Sequence, residues 1–416
     1  MGQVKFSHIS TGFIAVFIGY ASAAAIIFQA ATSAGASQQQ IASWFWALGI
    51  GMGVSTILLS WRYKQPIVTA WSTPGAALLI TSLDGLTVEQ AVAIFLFSSL
   101  LITITGLTGI FDTLLKRIPT SIASAMLAGV LWMFGIGIFT SLSQEAIIIG
   151  TMLAAYIFAK PKFGNLLIPF ILLLAVIMSG IAGKLDFSDV NLTLTQPMFI
   201  TPDFDLASLL SVGIPLFVVT MASQNLPGFA VLKANGYNPP ASRIITTTGV
   251  TGLLLAPFGG FAFNLAALTG AICMSPNADP NPKSRYKAAL AMGGFYLLAG
   301  VLGTTFVSLF SSVPQAIIIT IAGLALLPTL ANSLTMALAD DTHREAALLT
   351  FLLTASGINF AGVGSAFWGL CLGLVCYAIK NWQLRAVQTK LAQPKQPKQP
   401  KQAKEAKEGK EGKGHS

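Results

Sequence analysis

Apolar residues run in stretches of about 20, separated by short clusters that carry Lys, Arg, Asp, Gly and Pro. About 20 residues of helix cross the roughly 30 Å hydrocarbon core of a bilayer, whereas membrane barrels alternate polar and apolar positions over strands of about ten. The pattern therefore predicts an all-α polytopic membrane protein. Fourteen transmembrane segments are expected, at 12–31, 41–60, 66–82, 89–115, 118–140, 144–159, 163–183, 206–230, 242–257, 261–274, 286–311, 314–334, 345–358 and 362–380.

Two of these segments are interrupted. The third opens with Gln65-Pro66 and is broken by Ser72-Thr73-Pro74-Gly75; the tenth opens with Pro257-Phe258-Gly259-Gly260 and passes Asn264 before a short apolar run. Short segments broken by Pro or Gly, at matching places in two halves, point to the binding site of a secondary transporter. The halves echo one another. Ala21-Ser22 matches Ala222-Ser223, and Ala76-Ala77-Leu78 matches Ala266-Ala267-Leu268. Gly106, Gly109, Pro119 and Ala128-Gly129 match Gly300, Gly303, Pro314 and Ala322-Gly323, with all offsets between 190 and 201 residues. Seven segments per half is an odd number, so the second half enters from the opposite side: a 7+7 inverted repeat. The expected organisation is a first repeat at 1–183, an external loop at 184–205, a second repeat at 206–380 and a disordered basic cytoplasmic tail at 381–416.

Each break reads as a short extended stretch followed by a half-helix. Thr73 before Pro74-Gly75 has the form of an N-cap with Pro at the first helical position, and Asn264 is expected to cap the second half-helix. Two helix starts facing each other near the midplane would present free N–H groups and positive dipole ends to an anion. Ser223, Gln224 and Asn225 bring polar side chains to the same depth, either as ligands or as bonds between helices. Tyr20 and Ser22 carry the same two readings. Trp71 and Phe263 either frame a site with their rings or pack helices. Gly49/Gly53 and Gly369/Gly373, each pair four apart, read as close helix contacts.

Composition closes off other classes. Of the 416 residues 54% are hydrophobic and 9% charged, against roughly 25% charged in soluble proteins; mean hydropathy is +0.72. A water-facing globule is excluded. The net charge of +9 owes +5 to the eight Lys and three Glu from Lys390 onward, a low-complexity stretch without interleaved aromatics. That composition suits a solvated tail drawn weakly to anionic lipid heads and gives no support for nucleic-acid binding.

With the N-terminus inside, Arg62, Lys64, Lys116, Arg117, Lys160, Lys162, Lys233, Arg243, Lys283, Arg285, Lys287, Arg344 and the tail are all cytoplasmic. Only Lys184 falls outside, in a loop with Asp186, Asp189, Asp203 and Asp205, as the positive-inside rule requires. Apolarity continues past the signal-like Ala21-Ser22-Ala23 to Ala31, so the N-terminus is a first membrane helix. Cys273, Cys371 and Cys376 fit neither a zinc pattern nor a disulfide framework. His8, His343 and His415 lie outside the spans, no Walker-type loop is present and no Asp or Glu falls at mid-membrane. No metal, cofactor or ATP is expected, and an enzyme would lack a convergent nucleophile and base; a non-transporting sensor would not need two broken segments.

The run Thr69-Ala70-Trp71-Ser72-Thr73-Pro74-Gly75-Ala76-Ala77-Leu78 resembles the benzoate:proton symporter family of bacterial inner membranes. So do Thr220-Met221-Ala222-Ser223-Gln224-Asn225 with Pro227-Gly228, and Thr354-Ala355-Ser356-Gly357 with Gly364-Ser365-Ala366-Phe367-Trp368-Gly369-Leu370. The resemblance covers the chain to about residue 380. It implies a fold shared with uracil/xanthine and sulfate-permease-like transporters, in which segments 1–4 and 8–11 form a moving core and segments 5–7 and 12–14 a gate or scaffold. In the nucleobase branch, carboxylates on segments 8 and 10 bind substrate. Here Ser223 or Gln224, and Phe263 beside Asn264, stand in their place, which fits an aromatic carboxylate and leaves the proton without an evident carrier on the protein. The resemblance implies import of benzoate or a similar acid with a proton. Ser72, Thr73, Gly75 and Asn264 would hold the carboxylate; Ser223, Gln224 and Asn225 would complete a polar shell; Tyr20, Trp71 and Phe263 would surround the ring. An exchanger or channel-like pathway for another small anion or carboxylate is the alternative, and a homodimer is one expectation for the assembly.

Overall fold

The computed structural model describes residues 4–110, 119–185, 192–358, 360 and 364–392. Asp112, Lys116, Arg117, Asp186, Asp189 and the tail from 393 lie outside the described residues. The chain folds into helices joined by short connections: α1 (Phe6–Ser33), α2 (Gln38–Tyr63), α3 (Thr73–Ser82), α4 (Val88–Thr108), α5 (Thr120–Ser141), α6 (Ala146–Phe163) and α7 (Leu167–Ile181). After a long connection come α8 (Leu206–Ala234), α9 (Ala241–Leu255), α10 (Leu268–Met274), α11 (Tyr286–Val301), α12 (Gly303–Ser311), α13 (Gln315–Leu338), α14 (Arg344–Ala355) and α15 (Ser365–Ala392). Two-residue strands, β1 (Thr69–Ala70) and β2 (Asn264–Leu265), precede α3 and α10.

Among the described residues, α1, α2, α4, α5, α6, α8 and α13 are each long and apolar enough to cross a membrane. The segment expected at 286–311 is not one straight helix: α11 and α12 meet at 62° about Leu302, and only taken together are they long and apolar enough to cross a membrane. The last helix also runs beyond residue 380, to Ala392. Large apolar side chains such as Ile147, Ile157 and Phe158 on α6, and Leu173, Ile177 and Ile181 on α7, are exposed. An apolar outer surface of this extent belongs against lipid.

Small residues let the helices approach. A Cβ at Gly49 of α2 would overlap the backbone of Gly300 on α11, and Gly53 meets Gly293 and Leu297 one turn further along. Gly369 and Gly373 of α15 lie against Thr354 and Thr350 of α14. Both pairs four apart are close helix contacts, and dispersion between touching backbones holds such interfaces where lipid removes the hydrophobic drive.

The two ends of the molecule are tied differently. At one end the connection before α8 lies across several helix ends: Thr195 N–H donates to Val301 O (2.9 Å), Met198 N–H to Ser43 Oγ (2.9 Å) and Ile200 N–H to Pro257 O (2.8 Å). At the other, the loop after α10 folds onto the start of α1. Asp279 pairs there with Lys5 Nζ (2.9 Å) and His8 Nε2 (3.0 Å), and Ser7 Oγ donates to Ala278 O. Lys5 N–H donates to His8 Nδ1, which leaves the proton on Nε2 and fixes the ring as a donor to Asp279. Arg285 completes the tie, donating from Nη1 to Met274 O and from Nε to Asp279 O.

Candidate substrate site

The breaks meet at the centre of the protein. β1 and β2 pair antiparallel, with Thr69 opposite Leu265 and Ala70 opposite Asn264, and Ala266 N–H donates to Val68 O at 2.9 Å. Backbone outside a helix persists at membrane depth only where protein groups satisfy it. Polar side chains of α2 do so for β1. Thr69 N–H donates to Thr56 Oγ1 (3.0 Å), the Thr69 hydroxyl lies 2.7 Å from Ser55 Oγ, Ser60 both accepts from Ile67 N–H and donates to Ile67 O, and Trp71 N–H rests on Met52 Sδ (3.2 Å). For β2 the partner is Asn225, whose Oδ1 accepts from Leu265 N–H at 3.0 Å.

The helix starts differ from the expected ones. α3 is capped by Ser72, one residue earlier than Thr73: Ser72 Oγ accepts from Gly75 N–H at 3.0 Å, and Ser72 O accepts from Ala76 N–H. Pro74 has no N–H, so of the first turn only Thr73 N–H is left unclaimed. Asn264 does not cap α10. It belongs to β2, its Nδ2 donates to Ala262 O (2.9 Å), and its Oδ1 is buried without a partner. α10 starts only at Leu268, after Ala267, and spans seven residues. The picture of two matched, capped helix starts converging on an anion is thus corrected at both ends.

Beside the strand pair lies a cavity of about 110 Å³. α1 contributes Gly19, Tyr20, Ser22 and Ala23; the first break contributes Ala70, Trp71 and Thr73; the second contributes Ala266 to Thr269; and Gln224, Met52 and Tyr296 close it. Tyr20 meets Trp71 edge to face at 4.8 Å between centroids and lies 6.3 Å from Tyr296. The Tyr20 hydroxyl is buried without a hydrogen-bond partner. Ser22 Oγ is turned back to Gly19 O (3.1 Å).

A π-helical turn at Met221–Asn225 explains where the polar triplet of α8 goes. Such turns are rare and recur at functional sites; here, three consecutive side chains leave the helix in three directions. Gln224 lines the central cavity. Asn225, fully buried, turns to β2. Ser223 donates to Val219 O and lines a separate cavity of about 40 Å³ against Thr120 and Ser124 of α5.

Of the eleven residues expected at the site, the structure brings Tyr20, Ser22, Trp71, Thr73 and Gln224 to this cavity. Ser72 and Gly75 form the cap behind it; Gly75 packs on Leu216. Phe263 is buried against Gly51 and Gly252, away from the cavity. Asn225, Asn264 and Ser223 serve as described above. Met52, Thr269 and Tyr296 escaped sequence reasoning. Tyr296 had a signal, a hydroxyl inside an apolar run, whereas Met52 had none. Among the described residues the cavity wall carries no carboxylate, imidazole, ammonium or guanidinium.

Helices crossing a membrane around paired broken segments, with a small neutral cavity at the break, define a membrane transporter. Residues 2–379 match the family described as benzoate membrane transport protein, and the chain belongs to that family. It is 46% identical over 370 residues to the inner membrane protein YdcO of Escherichia coli K12, covering 89% of this chain and 95% of that one. It is 40% identical over 368 residues to the benzoate membrane transport protein of Acinetobacter baylyi, covering 88% and 93%. The fold is similar to the transmembrane domain of the cyanobacterial bicarbonate transporter BicA (TM-score 0.56, 11% identity, 90% of this chain and 97% of that one). It is also similar to murine Slc26a9, an anion transporter solved in its inward-facing state (TM-score 0.58, 11% identity, 94% and 69%). The protein is a multi-pass membrane transporter, not an enzyme.

Proposed function

We propose that the protein imports benzoate or a similar aromatic carboxylate together with a proton, by alternating access, across a bacterial inner membrane with both termini cytoplasmic. The observation that carries this reading is the central cavity: two rings edge to face, Tyr20 and Trp71, beside Gln224, whose amide has no partner among the described residues, at the meeting of two broken segments. Aromatic walls suit a ring, and a few placed polar groups orient its substituent. The relative named as a benzoate transporter supports the same substrate.

Fourteen segments in a 7+7 inverted repeat are the architecture we infer. Antiparallel pairing of β1 with β2 supports it, as does the spacing of the residues before the two short helices. Ser72 and Ala267 stand 195 positions apart, which matches the offsets of the Gly and Pro echoes better than the Ala-Ala-Leu pair does. Segments 1–4 and 8–11 then form the core that carries the cavity, and segments 5–7 and 12–14 the gate.

A trough between the two groups supports alternating access. Cavities of about 630 and 610 Å³ share Ser33, Ile80, Thr81 and Met133 on the side of the loop before α8, the proposed external face. On the other side a cavity of about 40 Å³ lies between α5 and α8.

The test is uptake of labelled benzoate into proteoliposomes under an imposed pH gradient, alkaline inside. Accumulation that collapses when the gradient is dissipated is expected. Absence of uptake, or uptake indifferent to the gradient, would overturn the assignment.

A further inference from the structure

A proton that travels with the substrate needs a group to carry it, and the cavity wall restricts the choice. Ionisable side chains at the wall are limited, among the described residues, to Tyr20 and Tyr296. Cys273 of α10 is buried against Met292 instead. At the start of α3, Ser72 has claimed Gly75 N–H and Pro74 offers none, so Thr73 N–H alone is left there, one neutral donor. A carboxylate taken from water into this space would find no counter-charge, and burying an unpaired charge is the costliest step in a low-dielectric site.

Gln224 supplies a positive argument. It lines the cavity, and among the described residues its carboxamide has no hydrogen-bond partner. A free amide offers one carbonyl acceptor beside one N–H donor. An undissociated carboxyl group offers the complement, an O–H donor beside a C=O acceptor, so the two close a ring of two hydrogen bonds. A carboxylate has two acceptor oxygens and would set one of them against the Gln224 carbonyl. The unpartnered hydroxyl of Tyr20 leaves one more donor for the acid's carbonyl oxygen.

We propose that the site takes its substrate as the neutral aromatic acid, paired through the Gln224 carboxamide, so that the co-transported proton travels on the substrate's own carboxyl group. The proton is taken from water in the external trough, forming the O–H bond on the carboxylate oxygen, and returns to cytoplasmic water when the acid dissociates after release. No protein group changes charge. This inference rests on the benzoate reading above.

Infrared difference spectroscopy on the purified full-length protein at pH 7, with benzoate ¹³C-labelled at the carboxyl, reads the bound form directly. An isotope-shifted carbonyl band of the undissociated acid is expected. The antisymmetric and symmetric bands of a bound carboxylate would overturn the inference while leaving benzoate transport standing. Absence of any labelled band at saturation would overturn both.

Binding gives a second readout. Apparent benzoate affinity should rise about tenfold for each unit that pH falls between 8 and 6, because the neutral fraction of an acid with a pKa near 4 does so. Benzamide, neutral and of the same shape, should compete at pH 7 with an affinity at least equal to that of benzoate and independent of pH. Benzoate affinity flat with pH, together with no competition by benzamide, would overturn the inference. Gln224→Leu should weaken both ligands tenfold or more, and wild-type affinity in that variant, folded as judged by its unchanged melting temperature, would also overturn it.

Discussion

Asn225 Oδ1 accepts the backbone N–H of Leu265 across 3.0 Å, joining α8 to β2 forty positions away in the chain. Asn225 is fully buried and Leu265 nearly so, and no water replaces this bond at the centre of a membrane protein. The neighbouring Gln224 has no such duty. One π-helical turn thus separates a residue that builds the site from a residue free to serve it.

Asn225→Ala should therefore act on stability. Leaving a buried N–H without an acceptor costs about 1–3 kcal/mol, so the melting temperature in detergent should fall by several degrees. Gln224→Ala should leave the melting temperature of the ligand-free protein near wild type and weaken substrate binding by roughly tenfold, about 1.4 kcal/mol. Calorimetry and thermal unfolding on the same preparations separate the two. Equal effects of both variants on stability would contradict the division of labour.

Ser72→Ala removes the cap of α3. Loss of an N-cap costs about 0.5–2 kcal/mol, and the cap sits directly behind Thr73 in the cavity wall. A lower melting temperature and a weaker substrate affinity are expected together, with Ser72→Thr restoring much of both.

Gly49→Val should destabilise strongly, because the added atoms enter the backbone of Gly300 on the facing helix. Overpacking in a filled interior costs about 1–3 kcal/mol, and here no flexible side chain is available to move aside. Yield of folded protein in detergent and its melting temperature report the effect; Gly150→Val, where nothing lies within contact distance, is the matched control.

Asp279 gives a pH signature. The Lys5 ammonium, the Asn281 N–H and the His8 ring hold its carboxyl down from 3.8 to about 2. A carboxyl whose pKa is lower in the folded state stabilises above its unfolded value and loses that contribution as pH falls through the folded one. The melting temperature of wild type should exceed that of Asp279→Asn by a constant margin above about pH 5, and the margin should shrink between about pH 4 and pH 2. A margin unchanged across that window would remove the charge on Asp279 as its source.

The orientation is tested by reporters. A label in the 275–285 loop, where the start of α1 is tied to Asp279, should be protected in intact cells, and one at 192–204 should be accessible from outside. The reverse pattern would invert the transport direction read from the trough.

The sequence by itself determined that the chain lives in a membrane, because runs of about 20 apolar residues have no other way to satisfy their surface. It also located both breaks. Pro74 and the Pro257-to-Gly260 stretch interrupt helix through missing N–H groups and backbone freedom, which are local properties of those residues. It misplaced the details that depend on partners far along the chain. Asn264 has the composition of a cap, yet its backbone is drawn into pairing with Ala70, and the helix starts only at Leu268. Ser223, Gln224 and Asn225 read as one polar cluster; their separation into three environments follows from the π-helical turn and from what α5, β1 and β2 place around it. Met52, Ser55 and Thr56 looked like ordinary residues of an apolar helix, and only the approach of β1 gave the Met52 sulfur and the Thr56 hydroxyl backbone N–H groups to accept, and the Ser55 hydroxyl the Thr69 hydroxyl as partner. Spans and breaks were legible because hydrophobic burial and proline chemistry act within one segment. The wall of the cavity was decided by tertiary structure, because a hydrogen bond or a ring contact at the centre of a membrane protein exists only once two distant segments have met.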